Sequence, residues 1–274
     1  MSANSAGSTG IPGAGSVDVL ILCGGMGKRL QSVVSDRPKP MASFGQHTFL
    51  DLLIDYVSGF GFRRFVLCAG YMKEKIVDYY TNRPDINNPN TNRPNANKLK
   101  SVESKLVEPK SIGHGSVEIL CVGENIPLGT GGAVKNAESY ITHDPFVVMN
   151  GDSFFAIDFN EFLRFHFQNG AEATIALKTQ PDVSDFGTVE VDAENRIKSF
   201  IEKGARKSGL INGGIYLFNR SVLDAIIPSV EYSLEYNLFP SLIGREFYGY
   251  FGAGDFIDIG TPERLEQAKE ILKR

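Results

Sequence analysis

Short hydrophobic runs alternate with amphipathic stretches through the first half of the chain. The runs are rich in β-branched and aliphatic residues and predict strands, while the stretches between them have helical periodicity. The predicted strands are residues 17–23, 63–69, 117–122 and 146–149, and the predicted helices are residues 49–58, 73–80 and 131–140. Strands that alternate with helices in this way are typical of βαβ units and a parallel sheet.

The second half of the chain is richer in strand patterns. The predicted strands are residues 171–178, 187–192, 196–201, 210–218, 247–251 and 255–259, and the predicted helices are residues 159–169, 221–226, 233–242 and 262–273. The last helix has a clear start, because Thr261 suits the N-cap, Pro262 the first helical position and Glu263 the positive helix end. The whole pattern predicts an α/β fold with helices flanking a central, mixed but mostly parallel sheet.

Two segments fall outside this pattern. Residues 1–16 are small, polar and glycine-rich, and they predict a flexible tail before a single domain at residues 17–274. Residues 81–100 are rich in Asn and Pro; proline removes backbone donors and asparagine favours turns, so we expect a surface insertion there. The sequence leaves open whether this insertion is a plain loop, a lid or a subunit contact.

Composition and charge narrow the class of function. The formal net charge is −4 and the isoelectric point about 5.7, so no overall electrostatic reason exists to bind nucleic acid or an anionic membrane. No apolar run approaches the ~18–20 residues that span a bilayer, and the first residues lack a secretory-signal pattern. Cys23, Cys68 and Cys121 lie in apolar segments without metal-ligand spacing, which predicts buried thiols in a reducing cytoplasm.

A glycine-rich turn follows the first predicted strand. Residues 24–27 contain three glycines, whose backbone amides can approach phosphate oxygens without obstruction by a Cβ. The turn is not a Walker A motif, because Lys28 is followed by Arg29, and Leu30 takes the third glycine position of a dinucleotide fingerprint. Further along, Lys39 stands between two prolines that limit where its ammonium group can point. A constrained lysine near a glycine loop suits polyphosphate chemistry.

Two aspartates follow strand-like segments in the second half of this pattern. Asp152 comes after the apolar run at residues 146–149, at the strand end where open α/β sheets bind ligands. Asp258 likewise follows an apolar strand-like segment, and it precedes Gly260. Local evidence alone fits turn-forming or helix-capping aspartates equally well. Two carboxylates with phosphate and water oxygens would also suit Mg²⁺.

Six ordered motifs together resemble the nucleoside-diphosphate-sugar pyrophosphorylases, or sugar-1-phosphate nucleotidyltransferases. They are GGMGKRL at residues 24–30 with PKP at 38–40, LGTGG at 128–132, NGD at 150–152, EK at 202–203, NGG at 212–214 and DIGTPE at 258–263. Within that family the pattern is most similar to the D-glycero-D-manno-heptose 1-phosphate guanylyltransferases, through residues 33–41, 127–133 and 256–260. The resemblance implies a Rossmann-like nucleotidyltransferase fold of the GT-A type.

The resemblance also implies roles for individual residues. The implied nucleotide contacts are Leu22, Gly24, Gly25, Gly27, Lys28, Arg29, Leu128, Gly129, Thr130, Gly131, Gly132 and Asp152. The implied sugar-phosphate contacts are Asn150, Gly151, Glu202, Lys203, Asn212, Gly213 and Asp258. The implied catalytic cations are Arg29, Lys39 and Lys203, and the implied Mg²⁺ ligands are Asp152 and Asp258. Lys28 stands where the family usually has Thr, which puts the fine geometry of phosphate binding in doubt.

The reaction that the resemblance implies joins a nucleoside triphosphate, with GTP favoured, to a sugar 1-phosphate, with the heptose favoured, and releases pyrophosphate. A hexose 1-phosphate nucleotidyltransferase, which would use mannose or glucose 1-phosphate with GTP, dTTP, UTP or CTP, is an open alternative, as is a non-catalytic regulatory subunit that binds nucleotide sugars. The sequence decides neither the base, the sugar nor whether the chain forms a homo-oligomer. The four histidines, at positions 47, 114, 143 and 166, lie in no motif with a nucleophile and are assigned no role.

Overall fold

The computed structural model describes residues 12–25, 29–30, 34–82, 116–201 and 207–272, and the backbone of residues 104–111. Several of the expectations above fall outside these ranges. They concern most of the N-terminal tail, residues 83–100 of the insertion, and the predicted site residues Gly27, Lys28, Glu202 and Lys203. Within the described residues, no helix has the length and apolar character needed to cross a membrane.

The described elements follow the predicted alternation of strands and helices. The strands are β1 (Asp18–Leu22), β2 (Ser43–Phe44), β3 (His47–Thr48), β4 (Arg64–Ala69), β5 (Ser104–Ser111), β6 (Ser116–Gly123), β7 (Phe146–Asn150), β8 (Ser153–Phe155), β9 (Ala173–Gln180), β10 (Thr188–Val191), β11 (Ile197–Ile201), β12 (Gly209–Phe218), β13 (Phe247–Phe251) and β14 (Phe256–Asp258). The α-helices are α1 (Phe49–Ser58), α2 (Lys73–Asn82), α3 (Gly129–Asn136), α4 (Phe159–Gln168), α5 (Phe239–Leu242) and α6 (Pro262–Ile271).

Ten of these strands form one mixed sheet. Its first half is parallel, with β1 between β7 and β4, and β6 beyond β4. Its second half is joined through β12, which runs antiparallel to β7, β9 and β10. The edge strands β5 and β11 are also antiparallel to their neighbours, whereas β13 is parallel to β9. The parallel half therefore brings the carboxyl ends of four strands to one edge of the sheet.

Helices cover both faces of the sheet, and each face forms its own hydrophobic cluster. On one face Val19 and Ile21 of β1 pack in a cluster with residues of α1, α2, α4 and α6. On the other face Leu20 packs in a second cluster with residues of α3 and α5. Because successive strand residues point to opposite faces, a strand covered on both sides needs a continuous apolar run, and β1 has one.

Most predicted elements are confirmed, and the differences are local. Four strands are absent from the predictions: the short strands β2, β3 and β8, and the eight-residue strand β5. The predicted helix at residues 233–242 is a π-helical turn at Leu234–Leu238 followed by α5, and the one at residues 221–226 is a 3-10 turn at Arg220–Ala225. The predicted start of α6 is confirmed, since Thr261 Oγ1 accepts a hydrogen bond from the Arg264 amide and Pro262 follows it.

A buried carboxylate ties the amino ends of two strands to a loop. Asp18, the first residue of β1, is fully buried and accepts hydrogen bonds from Arg64, at 3.1 Å, and from the amide and ring Nδ1 of His143, both at 3.0 Å. Burial raises the pKa of Asp18, but these bonds and one from the Thr142 amide outweigh it, so the pKa lies below its ordinary value. His143 thus has a structural role at the edge opposite the carboxyl strand ends.

We expect Asp18→Asn to lower the free energy of unfolding at pH 7 by about 1–3 kcal/mol, because the amide lacks the negative charge that these donors share, whereas Arg64 keeps its contact with Glu118 at 3.4 Å. The folded pKa of Asp18 is depressed, so its contribution is complete above the ordinary value of about 3.9 and is lost as the pH falls through the folded pKa. Urea unfolding of wild type should therefore show a steeper loss of stability than the variant as the pH falls below about 4. Asp224→Asn, at an exposed site, serves as control; equal stability of Asp18→Asn and wild type at pH 7 would contradict the assignment.

Candidate functional site

An open cavity of about 580 Å³ lies at the carboxyl ends of the parallel strands β1, β4, β6 and β7. This is the edge where open α/β sheets bind ligands. Its lining residues are Leu22, Cys23, Gly24, Gly25, Lys39, Pro40, Gly70, Tyr71, Glu124, Asn125, Ile126, Pro127, Gly129, Thr130, Ala133, Asn150, Asp152, Glu231 and Glu235. The structure therefore brings together eight of the predicted site residues, from the glycine loop, the lysine motif, α3 and the end of β7.

Lys39 and Asp152 form an ion pair in this cavity. The Lys39 ammonium donates a hydrogen bond to Asp152 Oδ2 at 3.1 Å, across 113 residues of sequence. Lys39 follows Pro38 at the start of a 3-10 turn that contains the buried Pro40, so its backbone is held as the sequence predicts. The lysine side chain is only 14% exposed, against 41% for the aspartate. A partly desolvated ammonium group next to a glycine loop is suited to neutralising phosphate charge.

The glycine loop is shaped by a neighbouring carboxylate. A Cβ on Gly24 would lie 2.5 Å from Glu124 Oε1, and one on Gly70 would overlap the same oxygen. These two glycines therefore let the Glu124 side chain sit between the turns that follow β1 and β4. Because glycine has no Cβ, Gly24 permits this close approach, and any other residue there would require the Glu124 side chain to move.

Glu124 lines the cavity, and its two carboxylate oxygens have different surroundings. Its Oε2 accepts a hydrogen bond from the Leu128 amide at 2.9 Å, whereas Oε1 has no hydrogen-bond partner within the described part of the chain. Burial raises the pKa of Glu124, and the Leu128 amide and the charge of Lys73 offset only part of this. Glu124 follows β6 directly, so its place at a strand end is the sequence signal that could have identified it.

Some of the first residues of α3 line the cavity, and others use their backbone amides in hydrogen bonds within the protein. The amides of Gly131 and Gly132 donate to the Tyr232 carbonyl at 2.8 and 3.0 Å, and both glycines pack against Tyr232 or Val230. They do not line the cavity, and neither does Leu128, whereas Gly129 and Thr130 do. Gly129 and Thr130 are thus the residues of this motif on the cavity lining, while the amides of the next two glycines form internal hydrogen bonds.

A second segment completes this wall of the cavity. Thr130 Oγ1 donates to Glu235 Oε2 at 2.8 Å and accepts from the Leu234 amide at 2.8 Å. Ser233 caps the π-helical turn and also donates to Glu235 Oε2 at 2.8 Å. Glu231 lies beside them on the same lining. Sequence reasoning missed this segment, since its local pattern is that of an ordinary helix start.

The predicted sugar-side asparagines meet at a buried tyrosine. Asn212 donates through Nδ2 to the Tyr216 hydroxyl at 3.0 Å, and its Oδ1 accepts from the Gly214 amide at 2.8 Å. Burial raises the pKa of Tyr216, with the charge of Glu235 adding to it, while the Asn212 and Asn150 amides lower it. Gly214 has φ of +73°, which favours glycine, and breaks the register of β12 with β9. Asn150 lines the cavity, whereas Asn212 is not among its lining residues.

Two of the predicted sugar-phosphate contacts, Gly151 and Gly213, are glycines at closely packed positions. A Cβ on Gly151 would lie 2.7 Å from the Leu22 carbonyl, which accepts the Gly151 amide at 2.9 Å. A Cβ on Gly213 would overlap the Phe155 ring. Neither glycine is on the cavity lining, and the missing side chain at each position permits a close backbone or ring contact.

Asp258 lies next to the cavity rather than on its lining. Its Oδ2 accepts from Arg264 at 2.8 Å and its Oδ1 from the Gly260 amide at 2.9 Å. A Cβ on Gly260 would lie 3.8 Å from Arg29 Nη2, so the Arg29 guanidinium lies near the segment that carries Asp258. The amide of Ile259 donates to the Asp152 carbonyl at 2.9 Å. This backbone bond holds the two predicted metal ligands on neighbouring segments.

The pair of carboxylates fits Mg²⁺ by its chemistry. Both donors are oxygen ligands, and each carboxylate oxygen keeps a lone pair beyond the hydrogen bonds that it accepts. The described residues contain no cluster of three or more His, Cys, Asp or Glu that could hold a metal alone. Mg²⁺ is commonly held by one or two carboxylates together with waters and substrate phosphates, so the set of donors is consistent with it.

The remaining predictions for reactive side chains concern the cysteines and histidines. All three cysteines are buried free thiols, and burial raises the pKa of Cys23 well above its ordinary value and that of Cys68 to about 12. His166 is buried between Thr174 and Asn219, and burial lowers its pKa. Cys23 and Cys68 are therefore protonated thiols, and His166 is a neutral imidazole of the core, at neutral pH.

Comparison with known proteins agrees with this geometry. A D-glycero-alpha-D-manno-heptose 1-phosphate guanylyltransferase from Aneurinibacillus thermoaerophilus is 33% identical over 94% of this chain and 99% of its own length. One from Campylobacter jejuni is 31% identical over 90% and 96%. The crystal structure of HddC from Yersinia pseudotuberculosis complexed with GMP-PN superposes with a TM-score of 0.72, at 30% identity, covering 93% of this chain and 99% of that one. The sequence model of the nucleotidyl transferase family matches residues 18–274, and the chain belongs to that family.

Proposed function

We propose that this protein is a sugar-1-phosphate guanylyltransferase, which transfers GMP from GTP to D-glycero-α-D-manno-heptose 1-phosphate and releases pyrophosphate. The observation that carries the proposal is the Lys39–Asp152 ion pair in a cavity next to the glycine loop. The two similar proteins named as heptose 1-phosphate guanylyltransferases support this pair of substrates. We place the protein in the cytoplasm, where nucleotide and sugar phosphate would be its partners.

In the proposed reaction a phosphate oxygen of the sugar 1-phosphate attacks the α-phosphorus of GTP, and the bond to the β-phosphate breaks. The attacking oxygen is already anionic, so no general base is required. The barrier comes from bringing several negative groups together, and catalysis then rests on positioning and on charge neutralisation. Lys39 supplies a fixed positive charge at the cavity, and Arg29 and Lys203 are proposed to assist it.

Mg²⁺ is the proposed cofactor, with Asp152 and Asp258 as its ligands. When bound, it would neutralise phosphate charge and polarise the phosphoryl oxygens. Asp152 also accepts the hydrogen bond of Lys39, so one carboxylate orients the lysine and contributes to metal binding. The backbone bond from Ile259 to Asp152 keeps Asp258 within the same part of the fold.

The proposed preference for guanine rests on polar groups of Glu124, Gly129 and Thr130, which line the cavity. Glu124 Oε1 is an acceptor without a partner in the described part of the chain, and the nearby amides of Gly129 and Thr130 likewise make no hydrogen bond there. Guanine carries two adjacent N–H donors beside one carbonyl acceptor. A carboxylate next to backbone amides complements this edge, whereas uracil and thymine place a carbonyl on both sides of a single N–H.

The direct test is to incubate the protein and Mg²⁺ with each nucleoside triphosphate against a panel of sugar 1-phosphates and to measure pyrophosphate. Fastest release with GTP and the heptose 1-phosphate is the expected result. Fastest release with mannose or glucose 1-phosphate would establish the hexose alternative. No release with any pair, together with tight binding of a nucleotide sugar, would establish a non-catalytic binding protein.

We expect Lys39→Ala to reduce turnover by about 10²–10³-fold, the usual cost of one preorganised electrostatic contact. Pyrophosphate release at saturating substrates measures this, and thermal unfolding checks that the variant is folded. Lys135→Ala is the matched control, since Lys135 pairs with Glu138 away from the cavity lining. Near-normal turnover by a folded Lys39→Ala would remove the lysine from the mechanism.

We expect Asp152→Asn and Asp258→Asn to reduce activity by at least as much as the lysine variant and to raise the Mg²⁺ concentration needed for half-maximal rate. An amide is a weaker ligand than a carboxylate for a hard cation. A magnesium titration of pyrophosphate release separates the two effects. A folded variant with the wild-type rate and magnesium dependence would refute its assignment as a ligand.

We expect Glu124→Gln to raise the KM for GTP by about tenfold to a hundredfold and to affect UTP and dTTP much less. The side-chain carbonyl of the glutamine can still accept the hydrogen bond from the Leu128 amide. Its NH₂ group, a donor, then takes the place of the acceptor Oε1. The ratio of kcat/KM between GTP and UTP measures the change, so each nucleotide is the control for the other. An equal loss for all nucleotides would show that Glu124 does not read the base.

A further inference from the structure

The wall of the cavity around Thr130 is clamped by a segment about a hundred residues later in the chain. Thr130 and Glu235 are separated by 105 positions and joined at 2.8 Å. The clamp continues through the backbone, where the Tyr232 amide donates to the Leu128 carbonyl at 2.8 Å and the Tyr232 carbonyl accepts from Gly131 and Gly132. The residues on both sides of this contact, Thr130 and Glu235, line the cavity.

The clamp decides which amides of α3 are available to a ligand. The first four N–H groups of an α-helix have no partner within the helix. In α3 the third and fourth of these belong to Gly131 and Gly132 and are taken by Tyr232. The first two belong to Gly129 and Thr130 and have no hydrogen bond within the described residues. The clamp therefore leaves two amides of one turn for the cavity.

Glu235 is the anchor of this arrangement. Its Oε2 accepts from both Thr130 and Ser233, and the Thr130 hydroxyl in turn accepts the Leu234 amide. The Thr130 hydroxyl therefore both donates and accepts a hydrogen bond within the clamp. Glu235 sits in a π-helical turn, an irregular element that is frequent at functional sites. The resulting network fixes the side chain and the backbone of Thr130 together.

We propose that Glu235 is a positioning residue for nucleoside binding, which acts through Thr130 by holding the first turn of α3 in place. The inference rests on the proposed function for the identity of the ligand, and it adds a residue that the glycine and lysine motifs do not contain. Glu235 does not need its charge for this role. It needs an oxygen that accepts hydrogen bonds from Thr130 and Ser233.

The test compares the dissociation constant of GTP for three variants, measured by calorimetry without turnover. Glu235→Ala removes the acceptor and is expected to weaken GTP binding about tenfold. Glu235→Gln keeps an acceptor oxygen and is expected to bind close to wild type. Glu138→Ala is the matched control, because it removes a carboxylate at the far end of the same helical segment and away from the cavity lining. Equal losses for Glu235→Gln and Glu235→Ala would overturn the positioning role.

A double-mutant cycle tests whether the effect passes through Thr130. Thr130→Val removes the hydroxyl, and the variant with both Thr130→Val and Glu235→Ala is expected to bind GTP no more weakly than the worse single variant. Fully additive losses would mean that Glu235 contacts the ligand independently, and would overturn the proposal. No change in GTP affinity for Glu235→Ala, with lower thermal stability, would show a purely structural role and would also overturn it.

Hydrogen exchange of the α3 amides gives a readout that requires no substrate. Glu235→Ala should speed exchange at Gly131 and Gly132 more than Glu138→Ala does, since the Tyr232 carbonyl is no longer held against them. Unchanged exchange would refute the clamp. Failure of wild type to release pyrophosphate with any substrate pair would refute the proposed function instead, so the two failures are distinguishable.

Discussion

The parallel alignment of β1, β4, β6 and β7 is the constraint on which the site depends. Each strand ends at the same edge of the sheet, and a residue one or two positions beyond its end lines the cavity: Gly24 after β1, Gly70 after β4, Glu124 after β6 and Asp152 after β7. A helix is required to return the chain for each parallel strand, so the residues converge without any local contact between their motifs. Lys39 then closes the set by its ion pair with Asp152.

The sequence was sufficient to predict the elements whose pattern is decided by burial. β1 is apolar on both faces because helices cover both, and α1 has the expected bounds, Phe49–Ser58, with a Thr48–Asp51 capping box. The strand β8 could not be predicted, since three residues after a turn have no period and are strand only through pairing with β14. The π-helical turn at Leu234–Leu238 has the pattern of an α-helix, and its register is set by tertiary contacts with α3.

The same distinction applies to the site, where residues in local motifs could be predicted and residues that act through tertiary contacts could not. Lys39 and Asp152 could be recognised from their motifs, and the structure brings them together. Glycines were harder to interpret, because a missing side chain serves a ligand and a close internal contact equally well. Gly131 and Gly213 belong to the second kind, against Tyr232 and Phe155. Glu235 left no local signal at all, since its importance lies in a contact formed only in the folded chain.

The clamp between Thr130 and Glu235 also has a consequence for the order of folding. The glycine loop, Lys39, α3 and Asp152 all lie in the first 152 residues, yet the wall against α3 comes from residues 231–238. Closing so long a loop is slow compared with forming local helices and adjacent parallel pairs. A nascent chain would thus carry the glycine loop, Lys39 and Asp152 before it had a complete pocket, and ligand affinity would arise only once the second half had docked.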